Sequence, residues 1–176
     1  MNEELVKAAT ENREALDAFY ALRNAERSVQ AEIVRYIQGE LKLTADKLGF
    51  GFQGSSNFDY SAKGSCFEFT NAELDAMPLR IRFEFDKSGY RDFCFGFVDN
   101  GKLPTEAREL LKGMFAEVYG TPYSSPHWPA WYYWPSYQNW STVFPEIRFG
   151  KFVNDVEKEL VQLNKIAMQF RERRLS

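Results

Sequence analysis

Histidine occurs once in this chain, at His127, and cysteine twice, at Cys66 and Cys94. A single histidine cannot complete a zinc set, and neither cysteine stands at a metal-ligand spacing. Two thiols in strand-like contexts fit a reducing compartment rather than a disulfide framework. No apolar run approaches the ~20 residues that a membrane-spanning helix needs. The opening MNEELVKAATENRE is polar and acidic, unlike a signal peptide. Basic charge is not in excess: 22 Lys and Arg stand against 25 Asp and Glu, for a net charge of −3. A global field for nucleic acid is therefore missing, and any basic patch must be local. The phosphate-cradling glycine loop with its lysine and the GxSxG elbow are missing as well. These absences predict a cytoplasmic protein with no metal, no cofactor and no recognisable catalytic residue.

The 176 residues fit one domain, and a chain of this length buries about 70% of its unfolded surface. Hydrophobic residues make up 44% and include 16 phenylalanines, which implies an aromatic core. Residues 1–48 read as helix, with a break expected near Gly39 and a stop at Gly49. Leu5, Ala8, Ala15, Phe19, Leu22, Val29, Ile33 and Tyr36 recur at helical steps, interrupted by Asn12 and Glu26. This stripe permits a homodimer as well as packing within the chain.

Residues 49–100 switch to a period of two. Leu79, Ile81, Phe83 and Phe85 alternate with Arg80, Arg82, Glu84 and Asp86, as in a strand with one wet face. Phe93, Phe95 and Phe97 form its partner across the turn Asp86-Lys87-Ser88-Gly89. Phe50/Phe52, Phe58/Tyr60 and Phe67/Phe69 predict further strands. Residues 101–176 hold a helix opened by Pro104, an aromatic segment, and a last amphipathic helix carrying Phe152, Val156, Leu160, Leu163 and Phe170. The expected fold is α+β: an antiparallel sheet of four to five strands packed against long N- and C-terminal helices that pair antiparallel.

Tyr123–Trp140 is the most unusual stretch. It holds all four tryptophans, four tyrosines, three prolines and the histidine. Tyr and Trp are large, stiff and polar at one end, so they suit a binding surface or a loop locked onto a core. Trp128 and Trp140 are expected in the core. Trp131, Tyr132, Tyr133 and Trp134 cannot all face inward, so they are the candidate partner-binding residues, together with His127. A general-base role for His127 is a weaker reading than simple packing in an aromatic loop.

Arg80, Arg82 and Arg91 are candidate nucleic-acid contacts, since planar guanidinium groups beside exposed aromatics suit phosphate and base. The competing reading pairs Arg80 and Arg82 with Glu68, Glu84 or a helix carboxylate. Glu84, Asp86 and Lys87 resemble part of a metal-dependent nuclease site, but Asp86-Lys87 lacks the one-residue gap that would place the lysine on the carboxylate face.

The strands LRIRFEFDK and YRDFCFGFVDN, the helix near PTEARELLKGMF and the segment WPAWYYWPSYQNW form a recognisable succession. It resembles the C-terminal accessory region of a family of bacterial PD-(D/E)XK nuclease-superfamily proteins. There a strand pair, matched here at Phe95-Gly96-Phe97, and a Trp-rich segment follow the nuclease core. That core has no counterpart before Phe67, so no catalytic residue carries over. The resemblance implies a stand-alone, non-catalytic module acting as a defence- or phage-related sensor, inhibitor or regulator, with another protein as its partner. Nucleic-acid binding is the alternative, and a diverged Mg²⁺-dependent nuclease the second.

Overall fold

The computed structural model describes residues 3–55 and 62–175; the strand expected at Phe58/Tyr60 lies outside them. Helices α1 (Glu3–Thr10) and α2 (Arg13–Leu48) come first. Strands β1 (Gly51–Gly54) and β2 (Cys66–Thr70), the short helix α3 (Ala72–Ala76), and strands β3 (Arg80–Lys87) and β4 (Arg91–Val98) follow. Helix α4 (Thr105–Tyr119) leads into β5 (Tyr123–Ser125) and β6 (Trp128–Tyr133). Helices α5 (Phe144–Arg148) and α6 (Lys151–Leu175) close the fold.

The chain is α+β as expected, but among the described residues the sheet has six strands, in the order β1-β2-β3-β4-β6-β5. All neighbours are antiparallel. The extra pair comes from the aromatic segment, which forms a hairpin instead of a loop. The N-terminal helix breaks at Glu11–Asn12 and not at Gly39. Asn12 accepts the amide of Ala15 at 2.9 Å and starts α2 as its cap. Gly39 is exposed and runs through as ordinary helix. Gly49, at φ 77°, ends α2 in the left-handed conformation that glycine tolerates best.

The period of two divides the sheet into unlike faces. Phe67, Phe69, Ile81, Phe83, Phe85, Phe93, Phe95 and Phe97 are buried and lie on one face. Phe115 of α4 meets Phe95 and Phe97, and Phe152 of α6 meets Phe67 and Phe93. Each buried phenylalanine contributes about 1.5–3 kcal/mol. From α2 the core takes Val34, Ile37, Leu41 and Ala45, all in the helix's second half. Its contacts with the C-terminal segment advance in the same sense along both chains: Arg148 lies over Tyr36 and Lys47 pairs with Glu157.

Gly96 sets the spacing of β4 and β6. A β-carbon at this position would lie 2.3 Å from the Ala130 carbonyl oxygen and 2.6 Å from the Trp131 Cα. Only glycine allows the two strands to meet there.

Beyond β4 the chain is tied by a buried ion pair. Asp99 is 1% exposed. Its carboxylate accepts from the Gly101 amide at 2.9 Å, the Leu103 amide at 3.3 Å and Arg108 Nη1 at 2.6 Å. Arg108 also donates to the carbonyls of Ser125 and Pro126, which fastens α4 to the β5–β6 turn. Arg108→Ala strands a buried carboxylate and is expected to lower stability by about 3–5 kcal/mol, read from urea unfolding followed by circular dichroism.

Candidate functional site

The second sheet face carries charge and aromatic rings, and among the described residues no helix lies on it. Strand register aligns its residues in rows. Gln53, Glu68, Arg82, Gly96, Trp131 and Tyr123 form one row; Cys66, Glu84, Cys94 and Tyr133 form the next.

Glu68 organises the charged half. It is 7% exposed and receives Arg80 Nη1 at 2.5 Å, Arg82 Nη2 at 2.6 Å and Arg82 Nε at 2.9 Å. Arg82 Nη1 reaches Glu84 at 3.2 Å. Both arginines therefore share a face, as their spacing predicts, and both are engaged by carboxylates. A depression of about 500 Å³, lined by Gln53, Ser55, Cys66, Glu68, Arg80 and Arg82, opens over this network. Arg91 does not join it. Its Nε donates to the Ser88 carbonyl at 3.2 Å, at the turn end of the hairpin. Asp86 follows Glu84 on β3, and Asp92 precedes Cys94 on β4, where it pairs with Lys87.

Burial pushes the Glu84 carboxyl above its ordinary range, and Arg82 offsets only part of that effect. Burial likewise raises both thiols, Cys66 against a hydrogen bond from Ser55 and Cys94 far upward beside Glu84, so neither is a ready nucleophile. Lys87 Nζ meets Asp92 at 2.5 Å instead of Glu84 or Asp86. Among the described residues no group of three or more His, Cys, Asp and Glu side chains is placed to hold a metal ion.

The aromatic half forms on β5 and β6. The Trp131 ring stacks on Tyr123 at 4.7 Å and meets Tyr133 edge-on at 5.0 Å. Trp128 lies 6.5 Å from Trp131 and sits beneath the Arg82 guanidinium at 5.7 Å, which joins the two halves. Tyr133 donates to Asp86 at 3.3 Å. Trp128, Trp131 and Tyr133 are half-buried, and Tyr123 is 52% exposed.

The candidates of the aromatic run thus separate. Trp131 and Tyr133 face outward. Trp134 is 9% exposed and packs on Phe83, Phe93, Phe95 and Phe152, so it belongs to the core. Tyr132 pairs with Phe95 on the inner face and packs against the same core. Trp140 is fully buried as expected, whereas Trp128 is at the surface and not in the core. His127 is exposed in the β5–β6 turn, and its carbonyl accepts the Asp99 amide at 3.1 Å. Tyr123, at the start of the aromatic stretch, joins Trp131 only through the β5–β6 pairing. Strand alternation within the run was hidden because every position from Trp131 to Trp134 is aromatic and offers no polar contrast.

Trp134→Ala is expected to cost about 3–5 kcal/mol, and Trp131→Ala only about 1 kcal/mol, when denaturant midpoints are compared. Glu84 releases its proton at lower pH in the unfolded chain than in the folded one. Its contribution favours the folded state at acidic pH and is lost as pH rises from the ordinary carboxylate range through the raised value. Glu84→Gln is expected to flatten that part of the stability–pH curve, measured by urea midpoints stepped across the same range.

No protein family, curated protein or solved structure matches this chain.

Proposed function

We propose that this chain is a non-catalytic binding protein that engages another protein through the aromatic patch of its open sheet face. Trp131 is the central anchor, flanked by Tyr123, Tyr133 and Trp128. The observation that carries this reading is the arrangement of four partly exposed rings in mutual contact on a face without a covering helix. Large amphipathic rings of this kind supply much of the energy of protein interfaces. Their neighbours favour a protein over a polyanion. Arg80 and Arg82 already face the carboxylates of Glu68 and Glu84, Asp92 is paired with Lys87, and Asp86 adds further negative charge. A phosphate backbone approaching here would have to displace Glu68 from its arginines and would meet the charge of Asp86.

The resemblance to an accessory region agrees with this reading. On that resemblance the chain acts as a regulator, sensor or inhibitor of a larger machine. Contact of Arg82 with Trp128 supports nucleic-acid stacking as the second reading.

Tagged chain captures its partner from host lysate, and the Trp131→Ala/Tyr123→Ala variant tests the patch. Capture is expected to survive nuclease treatment and raised salt. Measured affinity should fall by about thirtyfold in the still-folded variant, the effect of about 2 kcal/mol at an aromatic anchor. Retention of nucleic acid that declines steeply with salt would instead support the second reading.

A further inference from the structure

The charges of the open sheet face pair off with one exception. Glu68 takes Arg80 and Arg82, Glu84 shares Arg82, and Asp92 takes Lys87. Arg91, on the other strand of the β3–β4 hairpin, donates to the Ser88 carbonyl. Asp86 is exposed and has no ion pair among the described residues. The Tyr133 hydroxyl donates to it at 3.3 Å. Glu84 lies two residues away on the same strand face, and the charge of Asp86 adds to the burial that raises the Glu84 carboxyl. This end of the face is short of one cation.

The aromatic rings adjoin that place. Tyr133 links the anchor to the carboxylate, since its ring meets Trp131 edge-on at 5.0 Å and its hydroxyl meets Asp86. Tyr123 touches both rings, Trp131 at 4.7 Å and Tyr133 at 5.6 Å. A side chain laid from Trp131 across Tyr133 crosses apolar ring surface first and ends at a carboxylate. A long aliphatic stem with a cationic head matches that order. An acidic side chain would meet the charge of Asp86. A purely apolar one would cover Asp86 without replacing its water, which costs the desolvation of a charge.

The chain's own Arg82 already makes this kind of contact. Its guanidinium lies over Trp128 at 5.7 Å while its Nε and Nη2 donate to Glu68 at 2.9 Å and 2.6 Å. A planar guanidinium can serve a ring with its face and a carboxylate with its edge, whereas the compact lysine head serves chiefly as a point charge.

We infer that the partner carries an arginine flanked by apolar residues, whose stem lies across Tyr133 beside Trp131 and whose guanidinium pairs with Asp86. This rests on the reading of the patch as a protein-binding surface and adds the chemistry of what it binds. Trp131 supplies contact area, and Asp86 selects the sign of the partner's charge.

Selection of a phage-displayed random dodecapeptide library against the full chain tests this. Enriched sequences are remade as free labelled peptides and titrated by fluorescence anisotropy. Arginine next to apolar or aromatic residues is expected among them. Asp86→Asn removes the charge, keeps an acceptor for Tyr133, and should weaken binding about tenfold, the effect of one charge-assisted hydrogen bond. Replacing the peptide's arginine by glutamine should cost a similar factor against the wild-type chain and little more against Asp86→Asn. Peptides that need Trp131 yet carry no arginine, or whose arginine matters equally to wild type and Asp86→Asn, would overturn this proposal and leave the aromatic patch standing. Peptides indifferent to Trp131→Ala, or a selection that enriches none, would overturn both.

Discussion

The close approach of β6 to β4 at Gly96 is the constraint on which the rest of this structure depends. Because no β-carbon stands at that position, the aromatic segment joins the sheet as a paired strand instead of lying over it. Once it is a strand, alternation assigns its rings without further choice. Ala130 and Tyr132 turn toward the helices with Trp134 beyond them, and Trp131 and Tyr133 turn to the open face. The same pairing carries β5 into the sheet and brings Tyr123 beneath Trp131. A single missing side chain on β4 therefore decides which tryptophan is buried and which lies on the open face.

Charge on the open face is arranged by similar economy. Glu68 lies between two arginines, and its near-complete burial is tolerable because three charge-assisted hydrogen bonds from them reach its two oxygens. The arginines are thereby held flat against the sheet, and Arg82 becomes a platform edge for Trp128. This network joins the polar and aromatic halves into one continuous surface. A like role at the far end of β4 belongs to Asp99 and Arg108, which hold the β5–β6 turn against the start of α4. The aromatic patch is thus braced from two sides by ion pairs that differ in burial.

Much of the architecture was legible in the residues. The alternation of Leu79–Asp86 and of Phe93–Val98 has strong polar contrast, and both became strands with the expected faces. Gly49 ended its helix as its left-handed preference predicts. Where contrast was weak, the reading failed. Gly39 looked like a break, yet a helix with its neighbours packed carries an exposed glycine at modest cost. The true break followed from Asn12, whose side chain caps a helix as readily as it interrupts an apolar stripe. In the aromatic run, inward and outward residues share one chemistry, so neither Trp134 nor Trp128 could be placed without knowing the register against β4. Glu68 was visible as a partner for the arginines, but its burial arises from the strands on both sides and has no signature of its own in sequence.

The two margins of the sheet are short. β1 has four residues, two of them glycine, and β5 has three, with Pro122 before it and Pro126 after it. A free strand margin is where a foreign strand adds and where fibrils begin. Here each margin offers few amides in line, and proline removes donors next to the β5 margin. A chain with sixteen phenylalanines has every compositional reason to aggregate once its sheet is formed. The brevity of its outer strands leaves an incoming strand little backbone to grip, and so directs association toward side chains and away from the main chain.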